Sequence, residues 1–320
     1  MTLARIAALA AAATFGCALV AKPAKTSPFA IRQPPLPISE TYPEAQPPKD
    51  EVKKAVFDRI NEDRRKAGLP PVAWDERASA VADHFCAAQI EERTHGHFLM
   101  NAIPPYARTA FEGIFGMQAE NAVTWRTTAP RFEESTVNLA LSGHASMMAE
   151  VAPNDGHRRT ILDPEATHVG VGYAVEKGDF RMAQEFLTRR LQTMSLERSP
   201  EDPGTIVFRG RAIEGHRVAF VTIAHEPSPR PLPRAVVNAR EFYTYPVPTL
   251  SYTPSGDKSF RVVDTLTEDR IRFEANRGFS FRFTPTSAGL WTFVIYTSGE
   301  GPRPRPGGLA VLWVEESGAR

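Results

Sequence analysis

Between Asp50 and Ala67 the apolar positions Val52, Val56 and Ile60 recur at i, i+4 and i+8, with Ala55 and Phe57 widening the stripe and charged residues opposite. That spacing predicts an amphipathic helix, and Gly68 followed by Pro70-Pro71 supplies its stop. Asp75 is placed to cap a second helix in which Ala78, Val81, Ala82, Phe85 and Gln89 share one face, running to about Glu92. A third helical pattern spans Phe132 to Glu150, with Val137, Leu141, His144 and Met148 at helical spacing. The period then changes. Val169 to Tyr173 and Phe180 to Phe186 alternate as two strands joined by Lys177-Gly178-Asp179. Three helices followed by an antiparallel hairpin describe an α+β domain over residues 49–194.

From Pro200 the pattern shortens to β runs punctuated by proline and glycine: Ile206 to Arg209, Val218 to Ile223, Phe260 to Val263, Ile271 to Phe273, Phe279 to Phe283, Trp291 to Tyr296 and Leu309 to Val314. Short strands at this density predict an all-β sandwich over residues 200–320. The stretch Phe283-Thr284-Pro285 to Gly289-Leu290-Trp291 resembles a late turn of immunoglobulin-like bacterial modules. Copper is not supported there, because His216 and His225 have no cysteine nearby.

Residues 1–21 read as a signal peptide, with Arg5 ahead of an Ala-dominated apolar run too short to span a bilayer. Thr14-Phe15-Gly16-Cys17 also resembles a lipoprotein box, so Cys17 is either a lipid-anchor site or a discarded signal residue. Both readings place the protein outside the cytoplasm: secreted, periplasmic or anchored at the cell envelope. Residues 22–48 hold Pro34-Pro35, Pro37, Pro43 and Pro47-Pro48 and are expected to form an extended linker. The 320-residue chain carries 38 Lys plus Arg against 37 Asp plus Glu, a net charge of +1, so it has no field for gathering nucleic acid. Two cysteines exclude a small disulfide scaffold. Six of the eight histidines fall between His84 and His168, which directs attention to the first domain.

There the residues carry a resemblance. Ile60-Asn61-Glu62-Asp63-Arg64 through Gly68-Leu69-Pro70-Pro71-Val72-Ala73-Trp74-Asp75 resembles the opening of the CAP superfamily of cysteine-rich secretory, antigen 5 and pathogenesis-related proteins. Ala119-Glu120-Asn121-Ala122 is similar to its Gly-Glu-Asn-Ile element, and His157-Arg158-Arg159 to His168-Val169-Gly170-Val171-Gly172 to its other central motif. The form resembled is the short bacterial one without disulfides. The resemblance implies a three-layer α/β/α sandwich with a shallow cleft lined by two histidines and two glutamates that can hold a divalent cation such as zinc or magnesium.

Carried over residue by residue, Glu120 and His157 match best. The first histidine is His95 or His97, with His97 preferred because the stretch from His97 to Arg108 follows the family's spacing. The second glutamate is Glu150, with Glu133 and Glu134 competing. Imidazole and carboxylate donors suit zinc and leave a position for water or ligand. Glu120 has a structural alternative, ordering the chain around Asn121. His84 and His144 lie on helix faces and His168 opens a strand, so each reads as structural, and Cys86 beside Phe85 reads as a buried, inert thiol. Pro104, Pro105, Tyr106, Phe111, Ile114, Phe115 and Met117 form an apolar stretch that either lines a lipid groove or packs onto its own domain. No His-Glu-x-x-His helix and no Gly-x-Ser-x-Gly elbow occurs. Three functions compete: binding of a lipid or cell-envelope ligand in the cleft, metal-assisted hydrolysis by the same residues, and a non-catalytic adhesive or structural role at the envelope.

Overall fold

The computed structural model describes residues 27–42, 45–256, 265–299 and 301–318. The expected signal peptide, Cys17 and the β run Phe260 to Val263 lie outside the described residues. Residues 22–48 are not simply a linker: β1 (Phe29–Gln33) and β2 (Ile38–Thr41) are edge strands of a large sheet. Phe29, Ile31, Leu36 and Ile38 pack against its core. The prolines that suggested a tether sit between or after these strands, where no ladder donor is needed.

The first α+β body begins with α1 (Glu51–Lys66), whose N-cap Asp50 accepts the Lys53 N–H at 2.9 Å and whose Val52, Val56 and Ile60 are buried as the spacing predicts. A short β3 (Ala73–Trp74) leads to α2 (Glu76–Glu92), capped by Asp75 accepting the Ala78 N–H at 2.8 Å. Then follow α3 (Pro105–Phe111), β4 (Met117–Arg126), α4 (Thr136–Met148), α5 (Gly156–Ile161), β5 (His168–Glu176) and β6 (Asp179–Thr188). The strands form a sheet ordered β3-β5-β6-β4, so β4 is an edge.

One face of this sheet takes α2. Gly170 and Gly172 allow the approach: a Cβ at either would lie 2.2 Å from a helix backbone nitrogen, Ser79 N or Asp83 N. The other face buries Val169, Val171, Met182 and Phe186 against apolar residues of α1 and α4. The Asn61 to Arg64 motif serves packing. Asn61 exchanges two hydrogen bonds with the Val72 backbone, at 2.8 and 3.1 Å. The buried Arg64 guanidinium donates to the carbonyls of Pro70, Ile161, Asp163 and Ala166, fixing the chain after α5.

The first domain ends earlier than residue 194, because β7 (Leu191–Arg198) already belongs to the second body. That body adds β8 (Ile206–Ala212), β9 (Arg217–Glu226), α6 (Arg234–Asn238), β10 (Leu250–Pro254), β11 (Leu266–Glu274), β12 (Gly278–Phe283), β13 (Gly289–Ser298) and β14 (Arg305–Glu316). Ten strands hydrogen-bond in the order β1-β14-β13-β9-β10-β11-β12-β8-β7-β2 and fold over one core that includes Phe208, Phe281, Phe283, Phe293 and Leu312. Among the described residues of 200–320 the elements are strands and the one short helix α6. The immunoglobulin-like form does not describe this body, since β1, β2 and β7 come from outside that segment and β10 pairs with β11 in parallel.

Candidate functional site

The site gathers on the outer edge of β4. Glu120 lies within this strand opposite Glu185 of β6, so both carboxylates project on the face covered by α2. Both side chains are fully buried. The Arg108 guanidinium reaches them from α3: Nη2 donates to Glu120 Oε2 and stands 3.8 Å from Glu185 Oε1, while the group lies 3.7 Å over the Phe85 ring. Gln118 donates its side-chain amide to Glu185. Two buried carboxylates share one guanidinium. Burial first, then the Glu120 charge, pushes Glu185 well above the usual carboxylate range. Burial also raises Glu120, opposed by Arg108.

His97 follows from the end of α2. Arg93 adopts a left-handed conformation, φ 55°, and Gln89 donates to the Gly96 carbonyl at 2.8 Å, which turns the next residue inward. The His97 Nδ1–H then donates to Glu120 Oε1 at 2.8 Å. Burial and the Arg108 charge lower His97 to about 4, so at neutral pH the ring is uncharged and Nε2 keeps its lone pair. His95 is exposed, with its backbone N–H bonded to Asn238 Oδ1 at 3.0 Å. That geometry selects His97 over His95.

The second half comes from the segment between α4 and α5. Glu150 stands just past the end of α4 and accepts both the His157 N–H at 2.9 Å and its Nδ1–H at 2.5 Å. Asn121 of β4 donates to the His157 carbonyl at 3.1 Å and so holds this segment beside the strand. The His97 and His157 rings lie 6.5 Å apart. Glu133 and Glu134 are exposed, and Glu150 is the carboxylate that meets His157. The arrangement is two imidazoles, each tied at Nδ1 to a carboxylate, with Nε2 as the free nitrogen of each ring.

The expected metal set needs correction. Glu120 is committed to His97 and Arg108, and Glu150 to His157; among the described residues no group of three or more His, Cys, Asp or Glu is arranged to hold an ion. Two carboxylate-backed imidazoles resemble the outer shell of a metal site, but they fall short of the three protein ligands of a catalytic zinc and offer no oxygen cage for magnesium.

His144 is buried between Asp63, at 3.1 Å, and the Gln184 amide, at 3.1 Å, as a satisfied core histidine, whereas His84 is exposed. Cys86 is buried, and its thiol is pushed up by burial. The apolar stretch before β4 packs largely across the seam: Tyr106, Ala110 and Phe111 meet Leu290, Leu309 and Trp313 of the second body. Glu185 was not among the expected site residues; the available signal was a carboxylate within the alternating run Phe180 to Phe186. Nor was Tyr243, whose ring lies 5.0 Å from His97.

Residues 57–188 match the model of the cysteine-rich secretory protein family, CAP. The chain is 28% identical over 134 residues to the uncharacterised protein YkwD of Bacillus subtilis (strain 168), spanning 42% of this chain and 46% of that protein, about half its length. Among solved structures it is similar to an outer surface protein of Borrelia burgdorferi, at 16% identity and a TM-score of 0.36 over 48% of this chain and 99% of that one. It is similar as well to an extracellular SCP-domain protein of Bacillus anthracis, at 20% identity and a TM-score of 0.33 over 43% of this chain and 40% of that one. With the motif residues in place and the family's model spanning this body, residues 57–188 form a CAP domain.

Proposed function

We propose that this is an exported CAP-domain protein whose cleft binds a polar component of the cell envelope. The observation that carries the reading is the pair of imidazoles whose Nδ1 atoms are tied to Glu120 and Glu150, leaving two Nε2 acceptors on rings 6.5 Å apart. Such acceptors suit hydroxyl or ammonium donors of a ligand. The apolar residues that would favour a hydrocarbon chain are spent on the domain seam, which supports a polar ligand over a lipid tail. Hydrolysis draws less support, because among the described residues the donor set is short of a catalytic metal site.

The test is co-sedimentation of the purified chain with insoluble bacterial cell-wall material and, separately, with phosphatidylglycerol vesicles. Wild type is expected in the wall pellet, and the double variant His97→Ala, His157→Ala in the supernatant. Equal sedimentation of the two proteins, or retention on vesicles alone, would overturn the reading.

A further inference from the structure

The segment joining β9 to β10 crosses back onto the first body. The Leu232 N–H donates to the Met100 carbonyl at 2.8 Å, and Asn238 of α6 bonds the His95 N–H at 3.0 Å and the Arg93 carbonyl at 3.3 Å. Beyond α6 the chain runs along the β4 edge. There the Tyr243 hydroxyl accepts the Glu120 N–H at 2.8 Å, while the Tyr245 hydroxyl donates to the Gln118 carbonyl at 2.6 Å and accepts its N–H at 3.2 Å. Two phenols thus serve the outward-facing groups of an edge strand that has no strand partner on that side. The Tyr243 ring packs edge-on against His97, and the Tyr245 ring stacks on Tyr106 at 4.7 Å.

We infer that residues 240–245 form a strap that gates the histidine pair, with Tyr243 as the residue controlling access to His97. Three features fit a gate better than a fixed wall. The strap is held at the β4 edge by two hydroxyl groups, without a backbone ladder. Arg240, Glu241, Phe242 and Thr244 are exposed, so Tyr243 and Tyr245 are the side chains that anchor it. Tyr243 itself lines an open groove of about 480 Å³, together with Phe98, Tyr106, Glu226, Phe242 and Leu290, which leaves the ring space to move into. With the strap in place the His97 side chain is 11% exposed and that of His157 34%, so closure falls mainly on one histidine of the two. The binding site is then a two-domain site, and its opening is set by the second body.

The inference does not depend on what the cleft binds, and two measurements test it. In wild-type protein, amide hydrogen exchange at Gln118 and Glu120 should run about ten-fold or more faster than at Ala119 and Asn121, whose bonds go to β6, because strap opening exposes the first pair without unfolding the sheet. Equal rates would overturn the gate. In the second, histidine acylation by diethyl pyrocarbonate is followed by peptide mass. Tyr243→Ala should accelerate His97 by about ten-fold while the buried His144 and the open His157 hold their wild-type rates, and Tyr243→Phe, which keeps the ring, should stay near wild type. His97 acylation in Tyr243→Ala within about two-fold of wild type would overturn it as well.

Discussion

Replacement of Arg108 by alanine is expected to destabilise the protein by roughly 3–5 kcal/mol, the cost of removing one partner from a buried charge network. Arg108 is the cation that both Glu120 and Glu185 face, and it lies flat over Phe85. Without it Glu120 keeps only the uncharged His97 Nδ1–H and the neighbouring Glu185 carboxyl, in a place too buried for water to replace a guanidinium. Truncation also removes packing over Phe85, since an arginine stem fills apolar surface as well as carrying charge. Urea denaturation followed by tryptophan fluorescence measures the loss. Arg108→Lys should recover only part of it, because an ammonium cannot lie flat on the ring while reaching the carboxylates. A loss below about 1 kcal/mol, the range of exposed ion pairs, would show that the network is solvated.

Gly172→Val should be at least as damaging. A Cβ at Gly172 would fall 2.2 Å from Asp83 N and 2.4 Å from the Ala82 carbonyl carbon, so relief requires moving α2 itself off the sheet. Overpacking commonly costs about 1–3 kcal/mol, and here the obstructing atoms are helix backbone, which places the change at or beyond the upper end. Displacing α2 would also displace the turn that delivers His97. Gly156→Ala is the matched control, since no atom lies within 4 Å of a Cβ there. Circular dichroism melts should show Gly172→Val unfolding well below wild type and Gly156→Ala close to it; a Gly172→Val melt near wild type would contradict the close packing of α2 on β5.

How much of this was legible follows from which interactions are local. The capping of α1 and α2 by Asp50 and Asp75, the apolar stripe Val52, Val56, Ile60 and the β5–β6 hairpin depend on residues a few positions apart, and sequence pattern reads them. The strand β4 escaped because Met117 to Arg126 mixes polar and apolar residues without clean alternation, being an edge with different coverings along its length. Strands β1 and β2 escaped because their prolines signalled a tether, although the prolines lie off the ladder. His97, Glu120, Glu150 and His157 were legible through motif resemblance, but their bonds to one another were not. Nothing local indicates that Glu120 spends both oxygens on His97 and Arg108, and it is this commitment that turns a four-donor metal site into two backed imidazoles. Tyr243 arrives from 123 residues beyond Glu120, across a domain boundary, and no pattern within either segment announces it.

The most direct test of the central claim, that the cleft presents imidazole Nε2 acceptors held in place by carboxylates on Nδ1, is nitrogen-15 NMR of the histidine rings in the full chain. The account predicts that at neutral pH His97 is the Nδ1–H tautomer with an unprotonated Nε2, and that it takes up its second proton only near pH 4, in keeping with its burial beside Arg108. An Nε2–H tautomer for His97, or a ring already doubly protonated at pH 6, would contradict it.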